Sequence, residues 1–150
     1  MLFLLLKLGT ERFALDAAAV AEVLPLVRLR PLPLAPPGVA GVFNHRGTPV
    51  PALDLSQLLL GRPAPARLST RLVLAVLPAA AGGKKVIGLI AEGATELIRR
   101  EPGAFSAPAF PTAPFLGPVA TDEHGLIHRL DLARLWPGAG VPAGEPTKCF

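Results

Sequence analysis

Apolar residues fall in short unbroken runs along this chain. Every position from Leu2 to Leu6 is apolar before Lys7 interrupts, and Leu72 to Leu77 is apolar throughout. Runs of this kind suit strands buried on both faces, because a strand wetted on one side would alternate apolar and polar residues. The pattern predicts strands over 2–8, 12–15, 39–44, 48–53, 71–77, 85–91, 95–99, 119–121 and 126–130, with Gly, Pro or Asp near their ends. Asp16, Asp54 and Asp131 each precede a stretch suited to a short helical turn. There a carboxylate accepts from the free N–H groups at the start of the turn. Gly82-Gly83 predicts a hairpin turn, and Arg62-Pro63-Ala64-Pro65-Ala66, within 61–68, reads as the connector between two lobes. The folded domain is expected to end near Trp136, with 137–150 a flexible Pro/Gly-rich tail.

The chain also repeats itself. Phe13 to Leu24 lies without gaps on Ile87 to Ile98, so that Leu15 meets Leu89, Glu22 meets Glu96 and Val23-Leu24 meets Leu97-Ile98, an offset of 74 residues. Leu53-Asp54-Leu55 through Gly61 matches Leu130-Asp131-Leu132 through Gly138 at an offset of 77. Each of these is preceded by a glycine, Gly47 or Gly125, and an apolar run. Two matches in the same order at nearly the same offset predict two related lobes. Closing the sheet of each lobe into a small barrel would remove exposed strand edges, which a chain this apolar needs to avoid aggregation.

Composition supports this and narrows it. Among 150 residues, 51% are hydrophobic and 17% charged, which suits a packed domain and argues against a disordered chain. The 18 prolines and 15 glycines argue against a long helical bundle and for short strands with frequent turns. The net charge of +4 permits an acidic partner. However, the basic residues are scattered, there is no tyrosine, and no aromatic–basic interleaving of a base-stacking surface is present. Nucleic acid is therefore not the expected partner. The single cysteine, Cys149, excludes an intramolecular disulfide and fits a reducing compartment. The opening apolar run is too short for a membrane span and lacks the basic segment of a signal peptide, so a cytoplasmic protein without membrane insertion is expected.

No catalytic or metal-binding constellation can be assembled. Gly82-Gly83-Lys84-Lys85 lacks the flanking glycine and the Ser/Thr of a phosphate loop. His124 and His128 are four apart, but Gly125 between them favours a turn over the helix that would align them on a metal. His45, Asp54 and Ser56 supply the residue types of a hydrolase triad without its elbow motif. The expectation is a protein with no catalytic residues, no metal and no cofactor.

The segment Gly41-Val42-Phe43-Asn44-His45-Arg46-Gly47-Thr48-Pro49-Val50-Pro51-Ala52-Leu53-Asp54-Leu55 resembles the signature of the CheW-like family: an aliphatic start, Asn-x-Arg-Gly, an apolar strand with Pro, and a closing aliphatic-Asp-Leu. Phe13-Ala14-Leu15-Asp16 with Val20-Ala21-Glu22-Val23, Ile87 to Glu92 with Thr95 to Ile98, and Leu126 to Leu132 are similar to other elements of that family. The resemblance covers about residues 2–136. It implies an all-β fold of two intertwined five-stranded SH3-like β-barrels with a few short helices. It also implies a non-enzymatic adaptor that couples chemoreceptors to a CheA-type histidine kinase. The cytoplasmic tip of a methyl-accepting chemoreceptor would bind in an apolar groove between the barrels, and the kinase regulatory domain at the barrel ends. The residues that the resemblance places in partner contact are Arg46, Glu22, Val20, Val23, Gly41 and Asn44, with Glu22 pairing with Arg46. The sequence departs from the family pattern at His45, where an apolar residue is common, at Ala91-Glu92, which replaces Val-Asp, and at Ala18-Ala19. A competing reading is a small β-barrel that binds nucleic acid or a small ligand, motivated by a pI near 10.0. A salt titration against random oligonucleotides separates the two, because phosphate-driven affinity falls steeply with salt.

Overall fold

The structure, a computed structural model, describes residues 1–78, 82–107 and 116–135. Ten strands and two short helices follow in order: β1 (Leu2–Leu8), β2 (Glu11–Asp16), β3 (Val20–Pro25), β4 (Val39–His45), β5 (Thr48–Asp54), α1 (Leu55–Leu60), β6 (Arg71–Pro78), β7 (Lys84–Ala91), β8 (Gly93–Arg99), β9 (Leu116–Asp122), β10 (Gly125–Leu130) and α2 (Leu132–Leu135). They form two five-stranded sheets. The medial sheet has the order β3-β6-β7-β5-β4, and the terminal sheet the order β8-β1-β2-β10-β9.

The unbroken apolar runs have the double burial their pattern predicts. On β1, Leu4, Leu6 and Leu8 enter a core between the two sheets, while Phe3 and Leu5 enter the terminal sheet's own core with Ala14, Ile98, Phe105, Ala120 and Ile127. On β6, Val73, Ala75 and Leu77 join the shared core, and Leu72 and Leu74 a third core with Phe43 and Val50. Alternate side chains of one strand point to opposite faces, so a strand between two cores must be apolar at every position.

Each sheet is rolled, because its first and last strands meet. Glu22 of β3 reaches His45 and Arg46 at the end of β4, and Arg100 just after β8 reaches Asp122 of β9.

The sequence repeat holds in the pairing registers. Ala52 lies opposite Gly88 in the parallel β5–β7 pair, and their repeat equivalents Arg129 and Ala14 lie opposite each other in the parallel β10–β2 pair. The hairpin closures His45–Thr48 and Asp122–Gly125 are likewise equivalent. The isolated bridges Arg30–Val42 and Ser106–Val119 occupy corresponding places beside β4 and β9.

Two expectations need correction. Val20–Pro25 is a strand, where the sequence suggested a helical turn after Asp16 and nothing beyond it; only Ala17–Ala19 forms a 3₁₀ turn, capped by the Asp16 carboxylate at the Ala18 N–H. The strand was hidden because it alternates half-buried and exposed residues after an alanine run, although the repeat sets it on 94–98, inside β8. The second correction concerns 61–68. That stretch joins α1 to β6, both in the medial half of the molecule, so it links the two sequence repeats and not the two lobes. The chain changes sheets at 17–19 and at Glu92. The tail expected over 137–150 lies outside the described residues, as do Trp136 and Cys149.

Candidate functional site

The motif Asn44-His45-Arg46-Gly47 forms the tip of the β4–β5 hairpin. His45 pairs with Thr48, leaving Arg46-Gly47 as a two-residue loop with φ of 52° and 84°. Positive φ at both central residues is the type I′ geometry, whose twist matches that of the flanking strands. Gly47 adopts it freely, and the Asn44 side-chain oxygen accepts the Gly47 N–H at 2.8 Å, fixing the turn. Arg46 is the anomaly. A long side chain in the left-handed region costs about 1 kcal/mol or more that a glycine or asparagine would avoid.

What Arg46 touches does little for the fold. Its guanidinium lies 3.5 Å from the Glu22 carboxylate and its side chain is 78% exposed. His45 approaches the same Glu22 oxygen at 3.7 Å and is itself three-quarters covered. The geometry thus brings together Glu22, Asn44 and Arg46, and adds His45, which was not among the residues expected in partner contact. An exposed pair of this kind contributes ~0–1 kcal/mol to folding.

The remaining sequence-chosen residues do not converge on this tip. Val20 packs against the core between the sheets. Val23 is exposed on the opposite face of β3 from Glu22. Gly41 sits where a Cβ would lie 2.6 Å from the Arg30 carbonyl oxygen, so its geometry is that of a close backbone approach. Sequence reasoning missed the cleft of about 640 Å³ beside the hairpin, lined by Arg28, Leu29, Arg30, Val42, Phe43 and Pro49 among others. No motif in the sequence marks it, because the Arg30–Val42 bridge that brings this segment beside β4 joins residues outside the matched stretches of the repeat.

The same position on the terminal sheet is chemically different. Asp122 takes the place of His45 and accepts a two-pronged hydrogen bond from Arg12 at 2.5 and 2.8 Å, with the His124 N–H at 2.8 Å. The Arg12 hydrogen bonds outweigh burial and hold the Asp122 carboxyl well below the ordinary carboxylate range, while raising the Arg12 guanidinium. A second cleft, about 490 Å³, lies between the sheets and is lined by Asp16, Ala18, Ala19, Val76, Leu77, Pro78, Gly83 and Lys84.

The other candidate groups are engaged elsewhere. Asp54 caps α1 at the Gln57 N–H and also accepts from the Ala64 N–H, and the Ser56 hydroxyl donates to Glu92. His128 lies against Phe13, whereas His124 faces Glu123 at the β9–β10 turn. Among the described residues no helix is long and apolar enough to cross a membrane.

The family model of the CheW-like domain matches residues 2–138. Protein FrzA of Myxococcus xanthus is 35% identical over 122 residues, which cover 81% of this chain and 69% of that protein. Chemotaxis protein CheW of Treponema pallidum (strain Nichols) is 37% identical over 49 residues, 33% of this chain and 29% of that one. The crystal structure of scaffolding protein TtCheW from Thermoanaerobacter tengcongensis superposes with a TM-score of 0.77 at 22% identity, covering 87% of this chain and 84% of that chain. That last likeness carries the fold.

Proposed function

From its membership of the CheW-like domain family, to which the chain belongs across residues 2–138, we propose that this protein is a non-enzymatic scaffold that couples chemoreceptors to a CheA-type histidine kinase. The observation that carries the reading is the extent of the family match, which spans nearly the whole chain. The cytoplasm is where such a scaffold would meet both partners.

The geometry supports a division of labour between surfaces. The cleft between the sheets is largely apolar, formed by Ala18, Ala19, Val76, Leu77 and Pro78, and suits the tip of a receptor helical hairpin. The β4–β5 tip offers an exposed arginine held in a costly backbone conformation beside Glu22. Local strain that the fold does not need is the mark of a residue kept for contact, and we assign this tip to the kinase regulatory domain. Asn44 shapes the turn that presents Arg46.

The decisive experiment is reconstitution. Receptor-containing membranes and a CheA-type kinase are assayed for kinase autophosphorylation with and without this protein. The scaffold reading expects receptor control of the kinase only when the protein is present, and co-sedimentation of all three. Kinase activity that ignores the protein at saturating concentration, with no co-sedimentation, would defeat it.

A further inference from the structure

The two places where the chain passes between the sheets are related by the repeat, yet they are built from opposite chemistry. An offset of 74 residues carries Ala18 to Glu92 and Gly9 to Gly83, and an offset of 77 carries Ser56 to Ala133. At the β7–β8 crossing, Glu92 is the one residue between the two strands. Its carboxylate accepts the hydroxyl of fully buried Ser56 at 2.6 Å and the guanidinium of Arg62 at 3.2 Å. The backbone N–H of Gly9, in the β1–β2 turn of the terminal sheet, faces this carboxylate as well, and a Cβ on Gly9 would lie 3.0 Å from the Arg62 guanidinium. Burial pushes the Glu92 carboxyl up, but these three donors outweigh it and leave it below its ordinary value. One charged group therefore joins the β1–β2 turn of one sheet to α1 and the following segment of the other.

At the equivalent β2–β3 crossing the carboxylate is replaced by Ala18 and the hydroxyl by Ala133. Neither side chain can hydrogen bond. This junction is where the cleft between the sheets opens, with Ala18 and Gly83 in its wall and Ala133 in the adjoining hollow. One junction is tied and its counterpart is open.

We infer that Glu92 is a positioning residue that ties the lobes together at one junction, and so sets their relative angle and the width of the alanine-lined cleft at the other. Charge-assisted hydrogen bonds to a mostly buried carboxylate are directional and costly to break, so they fix geometry as well as stability. At the Ala18 junction the two side chains that replace Glu92 and Ser56 offer no such bond, which leaves that side free to slide.

The test uses the full chain with Cys149→Ser and spin labels on Glu11→Cys of the terminal sheet and Thr48→Cys of the medial sheet, both exposed. The inter-label distance distribution is recorded for the Glu92 parent, for Glu92→Ala and for Arg62→Ala. Arg62 is about half exposed, so its removal leaves the fold intact if Glu92→Ala does not fold. The expected result is a single narrow distance in the parent, shifted or broadened in Glu92→Ala and moved the same way but less in Arg62→Ala. Parent-like distributions in every variant that folds would overturn the inference. The measurement needs no receptor or kinase, so its outcome is separate from that of the reconstitution that tests the scaffold reading, on which the identity of the cleft's occupant rests.

Discussion

Gly41 lies within β4 and Arg46 just beyond it, and they ask different things of the backbone. Arg46 accepts a left-handed conformation for a side chain that remains 78% exposed. Replacing it by asparagine should keep or slightly raise Tm, since asparagine enters that region at lower cost and the lost pair with Glu22 is worth ~0–1 kcal/mol. The same change should weaken kinase or receptor binding by about tenfold or more, because truncating a charged interfacial contact costs ~2–5 kcal/mol. A thermal melt and a calorimetric titration with the reconstituted partner read both effects. An early-melting variant that binds normally would make Arg46 structural. Gly41→Ala should do the reverse. Its Cβ would meet the Arg30 carbonyl oxygen at 2.6 Å, an overlap of the kind that costs about 1–3 kcal/mol. A variant melting with the parent would show that the Arg30 segment yields freely.

At the scale of the element, β1 and β6 carry the load because each serves two cores. Leu6 is fully buried in the core between the sheets. Leu6→Ala is expected to cost about 2–5 kcal/mol, a fall in Tm of roughly 5–15 °C for a domain of this size. The β9–β10 hairpin depends instead on charge. Asp122 has a folded pKa depressed below its ordinary 3.8 by Arg12, so its contribution is fully present above that value. The contribution is lost as pH falls through the folded pKa. Asp122→Asn should therefore melt earlier than the parent at pH 7, with the gap narrowing as the buffer is taken down into the acid range. A gap independent of pH would assign the loss to packing rather than to the Arg12 pair.

The whole molecule is an exchange of strands between repeats. The first repeat supplies β1 and β2 to the terminal sheet and β3 to β5 to the medial sheet, and the second repeat supplies the complement. Neither repeat owns a complete sheet, so neither can bury its apolar faces alone. A chain cut within 62–66 is expected to give two fragments without a cooperative melt, and mixing them should restore it, as followed by circular dichroism. A fragment that folds independently would show that one repeat closes its own sheet.

Features that depend on near neighbours could be read from the residues alone. Nine of the ten strands were legible in runs such as Leu2 to Leu6 and Leu72 to Leu77, since burial on both faces writes itself into every position. The caps at Asp16 and Asp54 were legible because a carboxylate satisfies N–H groups two or three residues away. The repeat was legible because similar runs recur in the same order at nearly the same offset. Folding settles which strands share a sheet, and therefore that 61–68 joins repeats and not lobes. It also drew His45 into the Glu22–Arg46 cluster, left Val20 and Gly41 out of it, and brought Glu92, Ser56, Arg62 and Gly9 to one junction. Those contacts join residues far apart in the chain, and no local periodicity records a partner that only the folded topology brings near.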